Sequence, residues 1–506
     1  MTRIQKQWMV VVGVLGLAAV IRFWAIDGRP GYEWDEPVYT NIATHLAHLG
    51  VLGVKPDFGS PVEPYLYHPP FYFLTLAGWF KLVGAGMTSA RVLAGLMSLV
   101  FMTLAYLFMR RYLGRAAIIV LVLLATDGWL VYCNRISWIE NTLLVIVIAA
   151  VWLYATAVET GSRNRFLAAG LLIGSAAIFK HVGAYLVPVV LLHWLIIRKQ
   201  HRQHLQLLTA VGAVVVAYLI GMTIIYQHGG HNDYWTATFV QFERTFGNHD
   251  SRGTVGSVGD FIKPTVDQYY IFYATILLAL AGVVLVVGRT VEAIRWRDLH
   301  SIRPYSLLYA WSAAGLACFA IINLKFPQYS LLVLVPLYMY LAVEVAAFVR
   351  ERFTHVRMVA IAGLVALVVV NAVTYVQRIV TREDNALAAV GQYAQTYLPP
   401  QALVITEEAV GDVIPQPYCK LYHVRLCKPH ADYVIIYRSF TQEPPPQPGL
   451  ERLVQKSTKE ATFTGFKERI TVYKIKKIKP QSPNRRPRRH HRVAESKPTI
   501  LLPVAR

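Results

Sequence analysis

The chain has 506 residues, 55% of them hydrophobic and 16% charged, with a mean hydropathy of +0.40. Soluble proteins carry about 25% charged residues, so an ordinary soluble enzyme is excluded, and the chain is too apolar to be disordered. The net charge of +21 invites a nucleic-acid reading, yet residues 474–506 alone hold 11 Lys and Arg against the single acid Glu495, and most of the rest lies in short loops between apolar runs. No nucleic-acid partner is needed to explain either pool. What remains is a polytopic α-helical membrane protein whose first partner is the lipid bilayer.

A bilayer core needs about 20 apolar residues per helix. Runs of this kind fall at 8–26, 89–109, 116–132, 141–158, 166–180, 182–197, 205–226, 269–288, 305–323, 327–349 and 357–377, which predicts about eleven transmembrane helices. The first run follows Arg3 and Lys6 as a signal peptide would. Arg22 interrupts it and no small-residue cleavage site follows, so it is expected to remain as an anchor. Seventeen Arg and Lys fall on the N-terminal side of this arrangement, among them Arg110, Arg111 and Arg115, whereas the short loops opposite carry only Arg135, Lys180 and Lys325. The positive-inside rule then predicts a multi-pass plasma-membrane protein with a cytoplasmic N-terminus and an extracytoplasmic C-terminus.

Three outer segments are long: residues 27–88, residues 227–268 and everything after about 378. Within the first, Val38, Ile42, Leu46 and Leu49 recur at helical spacing between Pro37 and Gly50, which suits a helix lying in the membrane interface. The predicted domains are a transmembrane part over 1–377, a small extracytoplasmic α/β domain over 378–478, and a basic, Pro-rich disordered tail over 479–506. In the α/β domain, Leu387, Val390, Ala394 and Tyr397 mark a helix face. Ala402–Glu407, Ala431–Tyr437 and Thr462–Ile475 read as strands, the last a hairpin turning at Gly465. Cys419 and Cys427 both fall there, where an oxidising compartment would permit a disulfide that spacing alone does not decide. Cys133 and Cys318, at span ends, read as packing.

In so apolar a chain each ionisable group near the membrane is a functional candidate. They collect on the outer side: Asp35 and Glu36, His68, Arg135 and Glu140, Lys180 and His181, and Lys325 with Tyr329. A transporter or flippase of lipid-linked sugars would place such groups at mid-span on broken helices, in paired repeats. Carboxylates facing cations at one membrane surface fit group transfer from a lipid phosphate instead. The leaving phosphate needs cationic stabilisation more than protonation, and the acceptor hydroxyl needs a general base.

The segment Tyr32-Glu33-Trp34-Asp35-Glu36-Pro37-Val38-Tyr39, preceded by Arg22-Phe23-Trp24 and followed by Ala43 and Gly50, resembles the first outer loop of GT-C glycosyltransferases. It is similar to the protein O-mannosyltransferase and aminoarabinose transferase families, which depend on polyprenyl-phosphate sugars. The likeness continues through His68-Pro69-Pro70, Arg91, Asn134-Arg135, Glu140, Phe179-Lys180 and Lys325-Phe326-Pro327-Gln328-Tyr329. The His-Pro-Pro form looks closer to the mannosyltransferases than to the aminoarabinose enzymes.

The resemblance implies an inverting transferase that takes a sugar from a polyprenyl-phosphate donor and gives it to an extracytoplasmic protein, lipid or glycan. Asp35 would be the catalytic base and Glu36 would support it. Arg135 and Lys180 would contact the donor phosphate, Glu140 would hold a cation or a sugar hydroxyl, and His68, Lys325 and Tyr329 would complete the donor site. The resemblance specifies no cofactor and leaves a divalent cation open, with Asp35, Glu36 and Glu140 the set that would hold one. The competing readings are a flippase and a non-catalytic assembly subunit whose outer domain binds a partner.

Overall fold

The computed structural model describes residues 2–55, 63–64, 68–228, 273–296, 302, 305–321, 327–350, 354–377, 385–421, 427–439, 448–465 and 468–476. Lys325, most of the loop 227–268 and the tail 479–506 lie outside the described residues. The membrane part runs α1 (Arg3–Phe23), α2 (Asp35–Leu49), a short antiparallel pair β1 (Gly53–Val54) and β2 (Glu63–Pro64), then α3 (Phe71–Val83) and α4 (Met87–Leu113). It continues with α5 (Ile118–Thr126), α6 (Gly128–Asn134), α7 (Ile139–Thr160), α8 (Arg163–Phe179), α9 (Leu186–Ile197) and α10 (His201–His228). The helices α11 (Tyr273–Trp296), α12 (Ser306–Ile321), α13 (Leu331–Arg350) and α14 (Thr354–Tyr375) follow.

Each apolar range read from the sequence overlaps one of these helices. Among the described residues, 6 helical stretches are long and apolar enough to cross a membrane: Gln5–Phe23, Met87–Thr126, Ile139–Thr160, His201–Ile225, Ala274–Arg295 and Gln328–Ala347. Phe71–Val83, His181–Ile197, Ser306–Ile321 and Ile361–Tyr375 are shorter apolar helices. On α1, Val12, Leu17 and Val20 are exposed, as lipid-facing residues are where the backbone is satisfied within its own helix. The chain is a polytopic helical membrane protein.

One span departs from the sequence reading. The run 116–132 is two helices, broken at Asp127. The Asp127 carboxylate accepts from the Leu130 N–H at 2.9 Å and so caps α6, and it also accepts from the hydroxyls of Thr275 (2.6 Å) and Tyr338 (3.0 Å). A buried N-cap of this kind starts a new helix even in an apolar run. The freed carbonyls ending α5 are taken by Arg22, whose guanidinium donates to Ala125 O at 3.0 Å and Leu124 O at 3.0 Å.

Helices α8 and α10 approach closely at Gly170 and Gly174. A Cβ on Gly170 would lie 2.5 Å from Leu207 O, and one on Gly174 2.8 Å from Val214 Cβ. Small residues four apart let helix backbones meet in a membrane, where packing drives association. The end of α8, and with it Lys180, is thereby fixed against the bundle.

Residues 385–475 add α15 (Ala386–Tyr397), β3 (Val404–Thr406), α16 (Glu408–Gly411), β4 (Tyr418–Lys420), β5 (Tyr433–Ser439), α17 (Pro448–Gln455), β6 (Ser457–Thr464) and β7 (Glu468–Ile475). They form a five-stranded sheet ordered β4-β3-β5-β7-β6, with β3 parallel to both neighbours and the remaining pairs antiparallel. The hairpin turns at Gly465, where the periodicity placed it. Leu387, Val390 and Ala394 are buried on the inner face of α15, whereas Tyr397 is 69% exposed and leaves the predicted face. β4 was not legible, because three residues give no periodicity. Cys419 and Cys427 are joined by a disulfide with Cα atoms 6.4 Å apart.

This α/β unit packs against the start of α2. The Trp34 and Tyr437 rings meet edge-on at 5.0 Å, Asn41 Nδ2 donates to Asp412 Oδ1 at 2.7 Å, and Lys55 Nζ donates to Gly411 O and Ile414 O. The segment carrying Asp35 is therefore held from both sides.

Candidate active site

Asp35 and Glu36 are adjacent at the first turn of α2, and the helical twist sends them to different surroundings. Glu36 is fully buried. Its carboxylate accepts from Arg91 Nε at 2.8 Å and Nη2 at 2.6 Å, from Ser137 N–H at 2.9 Å and from Glu33 N–H at 2.9 Å. Arg91 spends its other donors on Ile26 O, Pro30 O and Gly31 O. This bidentate pair fastens the 26–36 segment to α4 and to the loop before α7. The two carboxylate oxygens of Glu36 thus accept four hydrogen bonds between them.

Asp35 instead lies within electrostatic reach of Glu140 in the first turn of α7 and of Lys180 at the end of α8. Burial pushes the Asp35 carboxyl up to about 6. Lys180 and a hydrogen bond from Tyr39 pull it down, and Glu140 and Glu33 push it up. Lys180 Nζ lies 2.5 Å from Glu140 Oε1 and 5.2 Å from the centre of the Tyr329 ring, a cation–π distance. Asp35, Glu140, Lys180 and Tyr329 thus converge from α2, α7, α8 and the turn before α13, although they span nearly 300 positions of the chain.

Arg135 does not join them as the sequence reading expected. Its guanidinium is fully buried and donates to Ile21 O (2.6 Å), Arg22 O (3.0 Å), Trp24 O (2.5 Å) and Arg29 O (2.7 and 3.1 Å), with Tyr375 Oη at 3.3 Å. These include the orphan carbonyls at the C-terminus of α1, where a cation is favoured by hydrogen bonding and by the helix dipole. The donors expected to meet a phosphate are already occupied. Lys325 lies outside the described residues.

His68 sits beside Tyr39, with Nε2 3.2 Å from the phenol oxygen. Tyr39 is buried and its ring meets Tyr72 and Phe73 edge-on. Sequence reasoning quoted Tyr39 within the motif and gave it no role. The available signal was its position four residues after Asp35, which puts both side chains on one helix face. Among the described residues no group of three His, Cys, Asp or Glu is arranged to hold a metal ion.

Residues 67–226 match the family model of dolichyl-phosphate-mannose-protein mannosyltransferases, a range that includes His68, Arg91, Arg135, Glu140 and Lys180. The structure is similar to ArnT from Cupriavidus metallidurans bound to undecaprenyl phosphate, with a TM-score of 0.62 at 15% identity over 91% of this chain and 97% of that one. The fold is that of the GT-C glycosyltransferases. A second GT-C protein, the oligosaccharyltransferase of Archaeoglobus fulgidus, matches with a TM-score of 0.56 at 13% identity, covering 85% of this chain and 69% of its own. No curated protein matches the chain in sequence at a significant level.

Proposed function

We propose that this protein is an integral membrane glycosyltransferase that moves a sugar from a polyprenyl-phosphate donor to an acceptor hydroxyl or amine at the extracytoplasmic face, with inversion. The orientation rests on the distribution of Arg and Lys. The observation that carries the reading is the convergence of Asp35 with the Glu140–Lys180 pair and Tyr329, in a chain whose residues 67–226 match a polyprenyl-sugar-dependent family. In support, the similar ArnT structure holds undecaprenyl phosphate.

Lys180 supplies the positive charge toward which the donor phosphate turns, and Glu140 sets the position of that charge. The acceptor oxygen or nitrogen attacks the anomeric carbon from the side opposite the phosphate. The bond from that carbon to the phosphate oxygen breaks as the new glycosidic bond forms. The acceptor's proton passes to Asp35, and the polyprenyl phosphate leaves with the bonding electron pair. A carboxyl near pH 6 is ionised at neutral pH and still basic enough for this task. Glu36 and Arg91 are positioning residues, and Arg135 acts on the site only through the end of α1.

The test is incubation of the purified protein with a panel of polyprenyl-phosphate sugars and an envelope extract as the source of acceptor, scoring free polyprenyl phosphate and sugar incorporation. Release by the wild type and loss in Asp35→Asn, at unchanged thermal stability, is the expected result. Full activity of Asp35→Asn would remove the assignment of the base. Movement of intact donor across proteoliposomes without cleavage would favour the flippase.

A further inference from the structure

A short chain of contacts runs from the break at Asp127 to the cation of the candidate site. Trp129, in the first turn of α6, is buried, and its indole N–H donates to Ser330 Oγ at 2.8 Å. A buried indole N–H needs such a partner, and this one stands next to Tyr329 in the turn Pro327–Ser330. Tyr329 in turn presents its ring to Lys180 Nζ at 5.2 Å. The Trp129 ring is itself fixed. Tyr132, one turn further along the same helix face, stacks on it at 5.3 Å with the planes 13° apart, and the Tyr132 hydroxyl donates to the Glu33 carboxylate. Trp138 closes the cluster at 6.5 Å from Trp129 and 6.4 Å from Tyr132. From the other side, Asp127 accepts from the Tyr338 hydroxyl at 3.0 Å and so holds α13, which begins directly after Ser330.

We propose that Trp129 is a positioning residue for the donor phosphate: by holding Ser330 it keeps the Tyr329 ring against Lys180, and the ring keeps the ammonium where the phosphate meets it. This rests on the reading of Lys180 as the donor-binding cation. A lysine ammonium sits on a flexible four-carbon stem and has no fixed place of its own. Among the described residues Lys180 donates one side-chain hydrogen bond, to Glu140 Oε1, whereas an ammonium has three N–H groups. Glu140 acting alone would draw the whole group onto itself. The π face of Tyr329 attracts the cation from another direction without competing for its hydrogen bonds as a second carboxylate would. It offsets the pull of Glu140 and leaves N–H groups for a phosphate oxygen. That balance holds only while the turn stays where Trp129 fastens it.

The experiment measures equilibrium binding of undecaprenyl phosphate to the folded, purified full chain in detergent. Ser330→Ala removes the acceptor of the bond and leaves every ring in place, and Trp129→Phe removes the donor and keeps an aromatic residue there. Each should weaken binding about fivefold, the worth of one hydrogen bond. The two together should weaken it no further than either alone, because they cut the same link. Tyr329→Leu should weaken binding at least as much, and adding Ser330→Ala to it should have no further effect. With the sugar donor found active in the panel, the loss should appear in the donor KM with kcat little changed, since Asp35 is untouched.

Unchanged binding in Ser330→Ala and Trp129→Phe overturns the proposal. So does a further loss when Ser330→Ala is added to Tyr329→Leu, which is the mark of a turn with a merely structural role, and so do losses that multiply when Trp129→Phe and Ser330→Ala are combined. The wider reading fails by a different result. Wild-type affinity in the double variant Glu140→Leu, Lys180→Met would remove Lys180 from the donor site and with it the task assigned to the turn. Affinity lost there but kept in the Trp129 and Ser330 variants overturns the positioning role alone.

Discussion

Lys180 and Glu140 form an ion pair of 2.5 Å in which both side chains are almost wholly buried, between helices 40 residues apart in sequence. Removing one partner of a buried pair leaves an uncompensated charge and costs about 3–5 kcal/mol, whereas replacing both by apolar groups is often nearly neutral. Glu140→Gln alone should therefore lower the melting temperature in detergent clearly. The double variant Glu140→Leu, Lys180→Met should recover most of that loss and yet bind undecaprenyl phosphate at least tenfold more weakly than wild type. Donor affinity that survives loss of Lys180 would show the phosphate to be held elsewhere.

The two adjacent acids of α2 should behave in opposite ways. Glu36 neutralises the fully buried Arg91 and accepts two backbone N–H groups besides, so Glu36→Gln should destabilise the protein by about 3 kcal/mol or more. Asp35→Asn disturbs no such network and should melt at or near the wild-type temperature while losing transfer. Thermal unfolding of the two variants side by side, followed by donor turnover on the folded material, checks both halves. A stable, inactive Glu36→Gln protein would return Glu36 to the chemistry.

The sequence was readable where cost forces meaning. Asp35, Glu140, Lys180 and Tyr329 stood out because charge in an apolar chain has to be compensated, and the structure brings these four together. Arg135 shows the limit of that logic. Its compensation comes from carbonyls at the end of α1, and those orphans become neighbours only once the chain has reversed direction. Asp127 was passed over inside an apparently continuous span, although an Asp before a Gly is a helix start signal, because hydropathy averages over single residues. Strand β4 is too short for alternation to register. Cys419 and Cys427 shared a compartment by inference, but only the fold brings their Cα atoms to 6.4 Å.

Arg135→Lys is the substitution that separates a capping role from a phosphate-binding one. A lysine keeps the charge and loses the planar fork that reaches Ile21 O, Trp24 O and Arg29 O together. The expected outcome is a lower melting temperature, by an amount corresponding to roughly 2 kcal/mol, with undecaprenyl phosphate affinity in the folded fraction unchanged. The opposite pattern, intact stability with binding weakened tenfold or more, would place the Arg135 side chain at the phosphate.

The junction between α2 and the α/β unit should be sensitive to pH. Asp412 accepts from Asn41 Nδ2 at 2.7 Å, and burial pushes its carboxyl up to about 7 against the pull of Asn41 and Lys55. Burial alone raises Glu407 to about 7 as well. A carboxyl whose folded value lies above its unfolded one binds more protons in the folded state between the two, so stability falls as pH rises through that window. The α/β unit should accordingly loosen from α2 as pH goes from about 4 to about 7, the range bounded by ordinary carboxyls and these raised ones. Hydrogen exchange of the amides in α16 and in 35–41 would register the change as faster exchange at the higher pH, after correction for the intrinsic pH dependence. Asp412→Asn cannot ionise and can still accept from Asn41 through its amide oxygen, so it should flatten the profile and slow exchange at pH 8. Because Asp35 sits on the same helix, that variant should also retain more of its turnover at high pH than the wild type does.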